Sequence, residues 1–423
     1  MSKVNEFIKY QSSNNIDIYI SDNTKFKTNY IQFLILNPLD KDSVSKNALL
    51  PYILYRGSKN YPSIRDIKIN LDELYGADLS VSVIKRGELQ ILNFAIELVN
   101  EKYLPGDELL LEKALQLIND IIVNPLFTKD FFSQEKEFIV KKIKSLVNDK
   151  YSYSLFRCQE EMCSGETYSL NKLGIVEDYQ KMDFEDLKNH YENIIEDSYM
   201  MMFLVGDLVK EETFKSIDKI FNFKHKKSEF SNPTILKKDV KDIKEIEESL
   251  NVNQGKLVLG CRTGINKKDD LYYPLVVYNG ILGSFPHSKL FQNVREKSSL
   301  AYYASSSLES TKGLLMINSG IEFQNYAKAK EIILKQLDDL KEGNFSEEEL
   351  EWTKKSLVNG YQSSTDDIRS LSAYYLLGLI NKTPETFNEA IEKIKNVSKD
   401  DVIKVGESIK LDTIYFLNKK VNS

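Results

Sequence analysis

The sequence of 423 residues is long enough for two or more domains, each with its own core. Its composition, 42% hydrophobic and 28% charged, is that of an ordinary globular protein, and the formal net charge of -6 predicts no affinity for nucleic acid or anionic membranes. Residues 1–15 lack the apolar segment of a secretory signal, and the three cysteines include no C-x-x-C pair. We therefore expect a cytoplasmic protein without disulfides.

The order of predicted elements mixes strands with helices. Apolar runs and alternation predict strands at residues 15–22 and 29–37 and a hairpin over 78–98. Apolar residues spaced by three to four predict helices over 63–76 and 107–125. Hairpins in succession, mixed with long helices, indicate an α+β fold whose sheets are largely antiparallel.

The second half of the chain repeats a helix of the first half. The pentapeptide KSLVN occurs at residues 144–148 and again at 355–359. In both places it ends a predicted helix, which we expect to open at Ser133 in the first half and at Ser346 in the second. Such a repeat in the same context favours a tandem duplication.

A second pair of similar segments follows in the same order. Residues 182–204 and 397–417 each combine a capped helix with an apolar strand, about half the chain apart. We therefore predict two homologous domains: residues 1–223 and 243–423, joined by a polar linker at 224–242.

No catalytic constellation is visible in the sequence itself. The three histidines, His190, His225 and His287, are too far apart for a pair on one helix, which excludes the commonest helical zinc motif. We expect His190 to be a surface or interface residue. Nucleophile elbows and glycine-rich phosphate loops are missing from the sequence, and we expect Cys158 and Cys163 to be partly buried helix residues.

One polar segment combines features of interest. Residues 284–299 predict a helix capped by Ser284, with Arg295 in its last turn. The strand that follows directs Tyr302 and Tyr303 to opposite faces. From these residues alone, the simplest interpretation is structural: Arg295 complements the helix C-terminus and one tyrosine belongs to the core.

Residues 280–306, GILGSFPHSKLFQNVREKSSLAYYASS, resemble the second-domain signature of the insulinase/pitrilysin metallopeptidases, also called inverzincins. That signature ends in an Arg and a Tyr seven residues apart, which here are Arg295 and Tyr302. The resemblance extends over the whole chain, because this family also consists of two duplicated α+β halves. It implies the antiparallel, helix-packed domains of the mitochondrial processing peptidase type.

The first half departs from the family motif. Members carry H-x-x-E-H before a Gly-Ser or Gly-Thr, and the corresponding run here is residues 47–63. By this resemblance, Ala48 and Tyr52 stand at the two histidine positions and Pro51 stands at the catalytic glutamate position. None of these side chains supplies a metal-ligating imidazole or a general base for water.

The third metal ligand of the family is also replaced. The family glutamate falls at Lys142 or at Lys141, while a neighbouring acidic residue of the same helix corresponds to Glu135. A lysine at a ligand position repels a cation. We therefore expect no zinc and no other cofactor in this chain.

The resemblance gives Arg295 and Tyr302 a functional interpretation. In the family, the Arg contacts substrate, and the Tyr hydroxyl steadies the peptide and the developing oxyanion. Some bacterial members work as two-chain peptidases, with the zinc motif on one chain and the Arg/Tyr pair on the other. The resemblance thus implies a heterodimer in which a zinc-bearing homologue carries the metal and this chain contributes to peptide binding and hydrolysis.

Two alternatives stay open. The chain could be a non-catalytic scaffold or peptide-binding subunit that merely inherited the pair, or a peptidase that uses unrelated ligands. Ser80 and Val81 stand where the family often has Asn-Ala on its peptide-binding edge, which weighs against peptide binding by the first half itself. In isolation, a homodimer that mimics the native pairing is a further expectation.

Overall fold

The computed structural model describes residues 7–226, 228–237 and 239–420. The strands in these residues are β1 (Ile8–Gln11), β2 (Asp17–Asp22), β3 (Thr28–Pro38), β4 (Asp78–Arg86), β5 (Leu89–Val99), β6 (Tyr199–Gly206), β7 (Lys244–Leu250), β8 (Gly255–Arg262), β9 (Ala301–Glu309), β10 (Leu314–Ile321) and β11 (Lys410–Lys419). The α-helices are α1 (Val44–Leu54), α2 (Ile64–Glu73), α3 (Leu110–Val123), α4 (Lys129–Ser145), α5 (Lys150–Met162), α6 (Val176–Lys181), α7 (Phe184–Asp197), α8 (Lys210–Ile220), α9 (Tyr272–Asn279), α10 (Tyr326–Lys341), α11 (Glu347–Ser364), α12 (Ile368–Ile380), α13 (Phe387–Lys395) and α14 (Lys399–Ser408). None of the described helices has the length and apolar character that a membrane crossing requires.

The two sheets have the same topology. The first has the strand order β1-β2-β6-β3-β5-β4, and the second has the order β7-β11-β8-β10-β9. Apart from β1, the strands correspond one to one, and in each sheet a single parallel pair, β2 with β6 or β7 with β11, accompanies antiparallel neighbours. The predicted α+β class, with two similar halves and largely antiparallel sheets, is confirmed.

The chain forms two compact units that exchange one helix each. Unit 1 comprises the described residues of Met1–Lys144, Leu170–Pro233 and Thr365–Leu377, and unit 2 comprises those of Ser145–Ser169, Thr234–Ser364 and Gly378–Ser423. Helix α5, from the first half, therefore belongs to unit 2, and most of α12, from the second half, belongs to unit 1. The units thus differ from the predicted ranges 1–223 and 243–423 by this exchange, although the division near Pro233 lies in the predicted linker.

Within unit 2, buried charges hold the exchanged segment to the sheet. Arg262, on β8, is 0% exposed and pairs with Glu166 at 2.6 Å and with Asp412 at 3.0 Å. Lys312, also buried, contacts Glu166 at 2.9 Å. The Arg262 guanidinium additionally donates to the backbone carbonyl of Met162 at 2.7 Å. Glu166 follows α5, so these contacts tie the segment to its sheet through ion pairs whose cations are buried.

Most of the predicted elements are confirmed, and two helix starts are wrong. Helix α4 begins at Lys129, so Ser133 lies inside it, whereas Ser346 does cap α11 by accepting a hydrogen bond from the Glu349 amide at 3.1 Å. The continuous helix over 284–299 is also wrong. A π-helical turn ends at Ser284, and a π-helix spans Phe291–Lys297. The Ser284 hydroxyl donates backwards to the carbonyl of Asn279 instead of capping a following helix.

Candidate functional site

The positions of the degenerate zinc motif lie on α1 and α4 of unit 1. Helix α1 is buried almost all round, and Ala48 packs with Val83 and Leu173 in a small apolar cluster. Pro51 lies inside the same helix, where it has no backbone N–H to donate. Neither residue offers a donor atom for a metal on its side chain. Ala48, which the resemblance assigns to a histidine position, and Pro51, which it assigns to the catalytic glutamate position, are thus part of the hydrophobic packing.

Tyr52 and Lys142 meet where the resemblance places two metal ligands. The Nζ atom of Lys142 donates a hydrogen bond to the Tyr52 hydroxyl at 3.0 Å, and it lies 5.0 Å from the centre of the Tyr52 ring. The ring of Phe138 covers the same ammonium at 5.8 Å. An ammonium bound by aromatic faces and a phenol is a stable cation site without a metal. These residues do not fit a zinc ion.

The acidic residue next to this site is also engaged. Glu135, buried on α4, forms an ion pair with Arg56 at 3.4 Å. Burial raises the pKa of the Glu135 carboxyl, and the charge of Arg56 opposes that rise. Within the described ranges, no three His, Cys, Asp or Glu side chains are placed to hold a metal ion.

The three histidines are held by hydrogen bonds rather than presented as ligands. His190 Nε2 lies 2.7 Å from Asn47 Oδ1, and the Asn47 amide in turn donates to Gln90 at 3.0 Å. Burial, with a smaller effect of Lys46, lowers the pKa of His190 to about 4. His190 is half-buried and belongs to a hydrogen-bond network of unit 1. His225 and His287 contact the Ile195 carbonyl and the Thr353 hydroxyl.

In unit 2, Arg295 is presented in the last turn of the π-helix. Its guanidinium lies 4.5 Å from the ring centre of Phe291, and its Nε atom lies 3.6 Å from Glu296 Oε1. The side chain is 42% exposed. At 3.6 Å the contact with Glu296 is too long for a hydrogen bond.

A β-bulge presents Tyr302. In the pairing of β9 with β10, Tyr303 is opposite Gly320 and Ala301 is opposite Ile321, which leaves Tyr302 as the extra residue. Bulges of this kind redirect a side chain and locally end the ladder. Tyr302 is 79% exposed, and Tyr303 is half-buried.

Arg295 and Tyr302 line one open depression of about 480 Å³. We call this the Arg295 depression. Its other lining residues include Gln254, Gly320 and Glu322, which the sequence did not single out. Gly320 has a specific role: a Cβ atom there would lie 2.5 Å from the Tyr303 ring. Since this close approach joins two strands, β9 and β10, only knowledge of their register could have pointed to it.

Comparisons with known proteins agree with this description. A family model described as "Peptidase M16 inactive domain" matches residues 181–357. The "Probable inactive metalloprotease YmfF" of Bacillus subtilis is 38% identical over 422 residues, which cover 99% of this chain and 98% of that protein.

Solved structures of similar proteins match the fold over nearly the whole chain. A conserved protein from Enterococcus faecalis V583 is 28% identical, with a TM-score of 0.90, and the match covers 99% of this chain and 100% of that one. A "peptidase M16 inactive domain" from Pseudomonas fluorescens has a TM-score of 0.80 at 15% identity, with 99% of each chain covered, and so shares the fold.

Proposed function

The chain belongs to the peptidase M16 family as an inactive homologue, and from this premise we propose that it is the zinc-less subunit of a two-chain peptidase. A zinc-bearing homologue is its partner and carries the metal. This chain contributes Arg295 and Tyr302 to the binding of a peptide. The cytoplasmic location and a homodimer of the isolated chain stay predictions.

The observation that carries the proposal is the contrast between the two halves. At the degenerate motif, the ammonium of Lys142 is hydrogen-bonded to Tyr52 and covered by aromatic rings. In the second half, a β-bulge leaves Tyr302 out of the strand pairing, and its side chain is 79% exposed. Arg295, which lines the same depression, is 42% exposed. A large exposed aromatic side chain held by a specific backbone irregularity is typical of a contact surface.

Each of the two side chains has a definite chemical capacity. The Arg295 guanidinium can donate hydrogen bonds to a peptide carbonyl oxygen, or two parallel hydrogen bonds to a carboxylate. The Tyr302 hydroxyl can donate one hydrogen bond to a carbonyl oxygen that gains negative charge. Both belong to unit 2 and line the Arg295 depression, which is open enough to form one wall of a larger site.

Mixing experiments test the proposal. Each chain alone is expected to be inactive, and a one-to-one mixture of this chain with a zinc-bearing homologue from the same organism is expected to cleave a fluorogenic peptide library. Arg295→Ala should lower kcat/KM of the mixture about 10- to 100-fold, because charged hydrogen bonds contribute about 1.5–3 kcal/mol each. The exposed Arg65 provides a matched control in Arg65→Ala, which should leave the rate unchanged.

Two results would decide against the proposal. An Arg295→Ala mixture that forms normally by size-exclusion chromatography and cleaves at the full rate would favour the scaffold alternative. Cleavage by this chain alone, with stoichiometric zinc in the purified protein, would favour a peptidase with unrelated ligands.

A further inference from the structure

A second depression adjoins the Arg295 depression at the same end of the unit 2 sheet. It measures about 500 Å³, and its lining includes Asn148, Tyr151, Asn253, Gln254 and Lys256. We call it the Lys256 depression. Gln254 lines both depressions, and its Oε1 atom lies 2.8 Å from the Cβ position built on Gly320. The two depressions therefore form one continuous surface with Gln254 at their junction.

The Lys256 side chain is fixed by a row of contacts across three strands. Lys256 on β8 pairs with Gly320 on β10, and Gly320 pairs with Tyr303 on β9. Because Gly320 has no side chain, the Tyr303 ring lies over it and reaches to within 5.1 Å of Lys256 Nζ, measured from the ring centre. Tyr151 from the exchanged segment packs against Tyr303 with ring centres 5.3 Å apart.

The charge of Lys256 has no anionic partner in the part of the chain that the structure describes. Its Nζ atom donates to Gln254 Oε1 at 2.9 Å, and no carboxylate of the described residues lies within ion-pair distance of it. Burial lowers the pKa of the Lys256 ammonium, and the charge of Asp149 opposes this. Asp149 itself is occupied as a helix cap, since it accepts bonds from the Tyr151 amide and the Ser152 hydroxyl at 3.1 and 2.6 Å.

Two further groups support an unfilled polar site. The Tyr303 hydroxyl is shielded from solvent and has no hydrogen-bond partner among the described residues, and burial raises its pKa. The other lysine of the Lys256 depression, Lys150, donates to the Val147 carbonyl at 2.6 Å. A partly desolvated ammonium with unused donors binds an anion more strongly than a solvated one does.

We propose that Lys256 and Gln254 form a subsite for a carboxylate of the same peptide that meets Arg295 and Tyr302. This inference rests on the proposed function, because the peptide is the occupant of the Arg295 depression. The carboxylate is either the C-terminal group or an acidic side chain, since both present the same two oxygens. Tyr303 and Tyr151 act as positioning residues that hold the Lys256 ammonium in place.

The test compares matched peptides with the mixture of both chains. One pair ends in a free carboxylate or an amide, and the other contains Glu or Gln at an internal position. The unmodified mixture should prefer the carboxylate member of one pair by about tenfold in kcat/KM, mainly through KM, as expected for one charged hydrogen bond. The pair that shows the preference identifies the source of the carboxylate.

Lys256→Met should abolish that preference by raising KM for the carboxylate peptide to the value for the neutral peptide. Lys395→Met is the matched control, because Lys395 is an exposed lysine of α13 that pairs with Glu392. Lys256→Gln, a polar substitution, should lose the same preference. Thermal unfolding curves like that of the unmodified protein would show that neither Lys256 variant has a folding defect. No preference in the unmodified mixture, or a preference that survives Lys256→Met, would overturn the inference.

A binding measurement separates this inference from the proposed function. Isothermal titration calorimetry of the isolated chain with the same peptides requires no zinc and no cleavage. A carboxylate preference that Lys256→Met removes supports the subsite even if the mixture is inactive, in which case the proposed function alone fails. Equal affinity for both members of each pair overturns the subsite even if the mixture cleaves peptides.

Discussion

Lys142 donates a hydrogen bond to Tyr52 at 3.0 Å, which joins two residues that the resemblance assigns to metal-ligand positions of the family. The ammonium supplies a positive charge in place of the metal ion. The aromatic rings of Tyr52 and Phe138 supply the surrounding negative faces. An ammonium is thus held between α1 and α4.

A double-mutant cycle measures the contribution of the hydrogen bond between Lys142 and Tyr52 to stability. Tyr52→Phe and Lys142→Met should each destabilise the protein, and the coupling between them should be about 0.5–1.5 kcal/mol, the usual contribution of one hydrogen bond. Urea unfolding of the four proteins gives the value. Strictly additive effects would show that the contact contributes nothing to stability.

His190 should make the protein less stable in mild acid. Its pKa in the folded protein is about 4, below the ordinary 6.5, because burial and Lys46 disfavour the charged form. Between these two values the unfolded chain binds more protons than the folded one, so stability falls as the pH falls from 6.5 to 4. The expected loss is on the order of 2–3 kcal/mol.

His190→Gln is the control for that pH dependence. Gln can keep a hydrogen bond to Asn47 but does not titrate. Urea unfolding at pH 7 and pH 4.5 should show a smaller pH effect in His190→Gln than in the unmodified protein. The same loss of stability between pH 7 and pH 4.5 in both proteins would show that groups other than His190 cause it.

Glu166 should contribute strongly to the stability of unit 2. Glu166→Gln leaves the buried Arg262 and Lys312 without their shared carboxylate, which should cost about 3 kcal/mol. Glu392→Gln, which removes the carboxylate of an exposed pair with Lys395, should cost less than about 1 kcal/mol. Chemical unfolding of both variants compares the two pairs directly.

The Glu166 contribution should also depend on pH. Burial raises the pKa of Glu166, but hydrogen bonds from Arg262 and Lys312 outweigh burial and lower the pKa below its ordinary 4.5. The contribution is therefore complete above pH 4.5 and is lost as the pH falls through the lowered pKa. The stability difference between the unmodified protein and Glu166→Gln should narrow in that acid range. A constant difference would contradict the ion-pair interpretation.

Gly320 should be intolerant of even a methyl group. A Cβ atom there would lie 2.5 Å from the Tyr303 ring, so Gly320→Ala should displace that ring and cost about 1–3 kcal/mol. Gly360 in α11 has no atom within 4 Å of the same position, and Gly360→Ala should stabilise by about 0.5–1 kcal/mol. Thermal unfolding distinguishes the two, and equal effects would contradict the packing described for Tyr303.

Local patterns of the sequence were sufficient for most of the fold. Alternation and helical spacing placed β3 and α3, and the repeated KSLVN pointed to the duplication that the matching strand orders display. The exchange of α5 and α12 was not predictable. An amphipathic helix shows that one face is buried, but it does not show which sheet covers that face.

The candidate site was predictable only in part. The resemblance identified Arg295 and Tyr302, but the bulge that exposes Tyr302 depends on its register with β10. The start of the helix near Ser284 was wrong because a π-helical turn places the Ser284 hydroxyl against Asn279, and no local pattern distinguishes that turn from an N-cap. The contact of Lys142 on α4 was likewise not predictable, because its partner Tyr52 lies on a different helix, α1.

The central claim is that Tyr302 acts on a peptide held with a partner chain. Its most direct test is the turnover number, at saturating peptide, of the mixture containing Tyr302→Phe. Removal of one donor to a developing oxyanion should lower kcat about 100-fold or more. The exposed Tyr103 provides the control, and Tyr103→Phe should turn over like the unmodified protein. A Tyr302→Phe mixture that assembles normally and keeps its full kcat would contradict the account.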